Sequence, residues 1–142
     1  MHIFPSPSHE TWILTKRIQP RIQAAEMRFL RGIAGVSRLD RIRNTAIREE
    51  LQVQPLLLKL EKSLLRWFGH VVRMPHERIA HQIFTAQPTG TRPPGRPRMR
   101  WLDQIESLSY YRLGVRPEEL SDLPLDRLHW KYLTEMLPPQ PE

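Results

Sequence analysis

The chain has no cysteine. That excludes disulfides, a thiol nucleophile and every cysteine-containing zinc finger or knuckle. Long apolar runs are also missing, and nothing approaches the length of a membrane span. Met1 to Lys16 lack the basic start and apolar stretch of a secretory signal, so a nuclear or cytoplasmic protein is expected, neither secreted nor membrane-bound. There is no glycine-rich phosphate loop and no nucleophile elbow. The carboxylates Glu49–Glu50 and Glu118–Glu119 are sequence neighbours, which point in different directions on a helix and form no catalytic pair. His70, His76 and His81 do not fall on one helix face, Pro75 interrupts them, and no fourth ligand is evident. The expectation is no catalytic residue, no metal, no cofactor and no small-molecule substrate.

Lysine is scarce as well: 4 Lys stand against 18 Arg. With 15 acidic residues the formal charge is +7, which favours anionic partners, nucleic acid first. Arginine presents a planar fork that grips phosphate, whereas lysine is a point charge. A G·C-rich gene also raises Arg and Pro, so composition alone does not decide. The charge is uneven. Residues 1–100 hold 18 basic and 7 acidic residues, net +11; residues 101–142 hold 4 and 8, net −4. The binding surface is therefore expected upstream of Trp101.

Apolar periodicity predicts helices. After Pro20, a residue suited to a first turn, Ile22, Ala25, Phe29, Leu30 and Ile33 share a helical stripe, and Gly35 can end it. Asn44 is a candidate N-cap for a short helix over 45–52. The clearest helix runs over 56–74, with Leu57, Leu60, Leu64, Trp67, Phe68, Val71 and Val72 on one arc. Lys59, Lys62, Arg66, His70 and Arg73 lie opposite, within about 80° of one another. Glu61 falls inside the apolar arc, where a buried ion pair with an arginine would account for it. A helix over 76–86 would turn Ile79, Ile83 and Phe84 inward, one over 101–113 would bury Trp101, Leu102, Ile105 and Leu108, and a last one would carry Leu125, Leu128, Tyr132, Leu133 and Met136. Residues 87–100 contain four Pro and two Gly and are expected to be extended or turned.

The fold class is thus all-α: a small multi-helical bundle with a Pro/Arg-rich extended linker and an irregular N-terminus. The expected organisation is an irregular segment 1–18, a basic helical lobe 19–86, a linker 87–100 and an acidic helical lobe 101–142.

Two features carry the candidate site. The basic stripe Lys59, Lys62, Arg66, His70 and Arg73 suits contact with phosphates, and its bland alternative is a solvated helix face. The short helix, the break at 53–55 and the long helix also fit a helix-turn-helix, as many helical hairpins do. The second feature is Gly95, Arg96 and Pro97, flanked by Arg92, Arg98 and Arg100, which is similar to an AT-hook core. There glycine lets the backbone approach the groove floor, proline keeps it extended, and arginines lie along a narrow minor groove. A basic linker making non-specific phosphate contacts is the preferred reading of that segment over a true hook.

Several runs taken together suggest a family: residues 21–31, 34–44, 65–74, and 95–101 with Asp103. The pair Trp67-x-Gly69-His70-Val71-x-Arg73-Met74 and Gly95-Arg96-Pro97-x-x-Arg100-Trp101 is its most specific part. They resemble the segment downstream of the reverse transcriptase in LINE-type (non-LTR) retrotransposon polyproteins, over roughly residues 10–137. Residues 10–16 are similar to the stretch just after the polymerase core, and Met1 to Ser8 depart from it. The family's polymerase uses paired aspartates and its endonuclease lies upstream; neither motif is here, nor is the Cys/His knuckle of some relatives. The resemblance implies a template- or target-handling part whose partners are RNA or DNA, held mainly through phosphates, and a reverse transcriptase body. A helical protein-interaction module, or a relic reading frame without selected function, are the alternatives.

Overall fold

Pro20, Gly35, Pro55 and Gly114 each stand at a helix boundary. A computed structural model describes residues 10–140 except Pro88 and Arg92, and every regular element among them is helical, with no strand. Residues 1–9 of the expected irregular N-terminus, and Arg92 of the hook-like motif, lie outside the described residues. The helices are α1 (Gln19–Ala34), α2 (Asn44–Glu50), α3 (Leu56–Val72), α4 (Ile79–Thr85), α5 (Trp101–Leu108) and α6 (Arg127–Glu135). A wider π-helical turn, Ser109–Leu113, continues α5, and short 3₁₀ turns occupy Arg38–Asp40, Pro117–Ser121 and Leu123–Leu125. No helix among the described residues is long and apolar enough to cross a membrane.

The described residues divide into two compact units: residues 14–61 with 138–140, and residues 10–13 with 62–137. The division falls within α3, after Glu61. Residues on both sides of the Pro/Arg-rich segment thus belong to one unit, whereas the sequence suggested a lobe on each side.

In the first unit Pro20 sits in the opening turn of α1, and Gly35, at φ 67°, closes its end. The Val36 N–H then reaches back to the Arg31 carbonyl at 3.0 Å, satisfying a last-turn acceptor. Met27, Leu30 and Ile47 form the core, with Ala34, Val36, Leu51 and Val53 packed around them. The α1 stripe is rotated from the expected one: Phe29 and Ile33 are exposed and Met27 is buried. The sequence offers two apolar stripes on this helix, and Ile47 of α2 selects the one it can reach. Asn44 is not a cap. It is the first residue of α2, and its Oδ1 accepts from Arg31 Nη2 at 2.9 Å. The same guanidinium donates to the Ser37 and Ile42 carbonyls, so Arg31 braces the 37–44 turn. In that turn Asp40 accepts from the Ser37 N–H and hydroxyl, which hold its carboxyl below the ordinary carboxylate range.

Glu26 and Arg48 form an ion pair at 3.0 Å, each side chain only 7% exposed. The other Glu26 oxygen accepts from the Leu56 N–H at 2.9 Å, capping an orphan donor at the start of α3. One carboxylate therefore ties α1 to α2 and to the first residue of α3. Glu61 is buried as expected, and its carboxylate accepts from the Gln140 amide.

The second unit is built around Phe68. Its ring lies 5.9 Å from Phe84, 6.2 Å from Trp101 and 5.9 Å from Trp130, with Leu64, Leu65 and Ile105 also buried. Such aromatic contacts add about 1 kcal/mol each beyond burial. The buried arc of α3 centres on Leu58, Glu61, Leu65 and Phe68, rotated by about 50° from the expected arc. On α4 the inward residues are His81 and Phe84; Ile79 and Ile83 are exposed, contrary to expectation. Trp130 fills α6's inner face, while Leu128, Tyr132 and Met136 face outward, as does Leu125 in the turn before it. Short helices present few turns, so a single large ring decides their rotation.

Candidate nucleic-acid interface

Where α6 meets the second half of α3, glycine permits a close approach. Gly69 is buried, and a Cβ there would fall under 3.0 Å from two atoms of the Trp130 ring. The Trp130 indole N–H donates to the Leu65 carbonyl at 2.8 Å, so the ring lies against helix backbone. Asp126 caps α6 by accepting from the Leu128 and His129 N–H groups at 3.0 and 3.1 Å.

This docking leaves a groove of about 890 Å³ along the two helices. From α3 it takes Arg66, Trp67, His70 and Arg73; from α6 it takes Arg127 and Lys131. The rotation of α3 that buries Leu65 leaves Trp67 half-buried at the groove's side, its ring 5.4 Å from His70. Arg73 donates to the Pro124 carbonyl, which fixes its guanidinium. Burial, and then the neighbouring Arg127 charge, pull Arg73 below the ordinary arginine range, though it remains a cation. Two acids share the groove: Glu135 lies 3.8 Å from Lys131, and Glu10 accepts from the Ser63 hydroxyl at 3.3 Å. Cations still outnumber carboxylates, as phosphate binding requires.

The structure thus brings together Arg66, His70 and Arg73 of the expected stripe. Lys62 is half-buried and donates to the Glu135 carbonyl at 2.9 Å. Lys59 is exposed on the part of α3 that belongs to the other unit. Arg127 and Lys131 were missed. They lie in a segment whose net charge is negative, and averaging hid a pair of cations four residues apart on one helix face.

The hook-like segment is exposed. Gly95 has φ 111°, and a Cβ there would meet no atom within 4 Å, so glycine serves conformation rather than space. Pro97, Arg96 and Arg98 are open to solvent. Arg100 instead grips Asp103, with Nη2 to Oδ1 at 2.9 Å, and Asp103 also accepts from the Arg100 N–H at the start of α5. That pairing holds the Arg100 guanidinium still more firmly protonated. If the segment is a charged linker, Arg96→Ala and Arg98→Ala should weaken A·T-rich and G·C-rich duplexes alike, by less than about threefold each. Titrating both duplexes checks this, and a loss confined to A·T-rich DNA would establish the hook.

His76 and His81 come together edge to face, with ring centres 4.5 Å apart, while His70 stands in the groove beside Trp67. A separate recess of about 920 Å³ in the first unit is lined by Arg28, Arg31 and Arg38 among others, but Arg31 is already committed to the 37–44 turn. Comparison with protein-family models, with curated proteins and with solved structures returns no match.

Proposed function

We propose that the chain is a non-catalytic nucleic-acid-binding piece that holds RNA or DNA through the phosphate backbone, and that it corresponds to the region downstream of the polymerase in a LINE-type retrotransposon protein. The observation that carries the binding reading is the α3–α6 groove, in which Arg66, His70, Arg73, Arg127 and Lys131 gather with two carboxylates among them. The family assignment rests on the sequence motifs. The groove supports binding and is neutral about ancestry.

Phosphate binding has a thermodynamic signature. On duplex DNA the log of affinity should fall with the log of salt concentration at about 0.9 per phosphate contact. Titrating purified protein against single- and double-stranded DNA and RNA across a salt series reads this directly. Arg66→Gln together with Lys131→Gln should make the slope shallower and weaken all sequences alike, because phosphate contacts position without specifying. Both side chains are exposed, so helicity by circular dichroism should be unchanged.

A second reading has its own observation. Leu128, Tyr132 and Met136 recur every four residues on the outer face of α6, and Phe29 and Ile33 are exposed on α1. Exposed apolar faces of this kind fit a protein partner, such as a reverse transcriptase body. Absence of binding to any nucleic acid at low salt would favour this reading over the first.

A further inference from the structure

We infer that the α3–α6 groove is a single-strand site, in which an unpaired base lies against Trp67 and a phosphate is held by Arg73 and Arg127. The inference rests on the nucleic-acid reading above and narrows it to a class of ligand.

The two arginines supply the first argument. Arg73 is half-buried and fixed by the Pro124 carbonyl, and Arg127 is close enough for its charge to act on it. Neither is paired with a carboxylate among the described residues. Two like charges held close, the Arg73 one half-buried, repel each other, and an anion between them removes that repulsion. The groove's carboxylates do not serve: Glu135 faces Lys131 and Glu10 faces Ser63. The N-terminus of α6 is already capped by Asp126, so side chains rather than the helix end must hold the phosphate.

Trp67 supplies the second. A large aromatic ring set among cations is half-open in a recess of about 890 Å³, a volume within the range of small-ligand clefts. Duplex bases are stacked on one another and have no face to offer it. An unpaired base does, and base–aromatic stacking beside a cationic track is the general device of single-strand binders. Trp130 cannot play this part, because its ring is buried and its N–H is bound to Leu65.

The test uses the full chain, a labelled single strand of about 12 nucleotides and mixed sequence, and a hairpin duplex of the same composition. Wild-type protein should prefer the single strand. Trp67→Leu should lower single-strand affinity by about 5- to 100-fold with little change in salt slope, and leave the hairpin almost untouched. Arg127→Gln, at an exposed position, should reduce the single-strand salt slope by about 0.7. Trp67→Tyr, which keeps a stacking face, should retain most of the affinity and covers the case in which the leucine variant fails to fold. Equal affinity for both probes, with folded Trp67→Leu and Arg127→Gln indistinguishable from wild type, overturns the single-strand assignment while leaving phosphate binding intact. A protein that binds neither probe at low salt removes both.

Discussion

Replacing Gly69 with alanine is expected to destabilise the fold by about 3 kcal/mol, although helix propensity alone predicts a gain of about 1 kcal/mol. The sign reverses because of Trp130. A Cβ at position 69 would intrude on the indole ring, which is 1% exposed and tied to the α3 backbone. Relief requires α6 to move outward, and that stretches the bond from the Trp130 N–H to the Leu65 carbonyl. The indole would then be buried with its donor unmet, a further cost of about 1–3 kcal/mol. Urea unfolding followed by circular dichroism measures the change. A rise in midpoint for Gly69→Ala would mean that Trp130 is not seated on α3.

Glu26→Ala should be comparably damaging in the other unit, at about 3–5 kcal/mol. The substitution removes one carboxylate partner of Arg48 in a site where both side chains are 7% exposed, and it removes the acceptor of the Leu56 N–H. Glu26→Gln should cost less, since its carbonyl oxygen still accepts from Leu56. The informative variant is the double replacement Glu26→Met with Arg48→Met. Burying two charges is expensive even when they are paired, so the apolar pair should recover part of the loss, the Leu56 N–H remaining without its acceptor. If the single alanine variant unfolds at the same urea concentration as wild type, the pair is solvated and the clamp does not exist.

Several of these features were legible in the sequence. The helix over 56–72 followed from its apolar spacing, the close of α1 from Gly35, the start of α5 from its run into Trp101, and the non-helical course of 89–91 and 93–100 from its Pro and Gly content. Burial of Glu61 followed from its place in the apolar arc. Rotation about the helix axis was not legible. On α1, α4 and α6 the residues left outside, Phe29, Ile79, Ile83, Leu128 and Tyr132, are as apolar as those inside. Only tertiary contacts with Ile47 or Phe68 separate the two sets, and periodicity is blind to them. The groove was half legible for the same reason. Its α3 side was a visible stripe, whereas its α6 side depends on how Trp130 docks. Gly69 did carry a signal: a glycine in the interior of a strong helix calls for a packing reason.

The spacing of contacts along the chain has a consequence for how the protein is made. In the first unit the tying interactions join residues close in sequence: Arg31 to Asn44, Glu26 to Arg48 and Glu26 to Leu56. In the second they join residues far apart: Arg73 to Pro124, Leu65 to Trp130 and Glu10 to Trp101. Short loops close quickly and at low entropic cost, long ones slowly. A ribosome delivering this chain would therefore release residues 14–60 able to fold while Phe68 and its neighbours still awaited Trp101 and Trp130. During that interval the apolar side of α3 would be uncovered, and it is then that a chaperone, or the rest of a longer polypeptide, has the most to shield. The last bond to close would be the one from Gln140 to Glu61, which returns the chain to the unit that formed first.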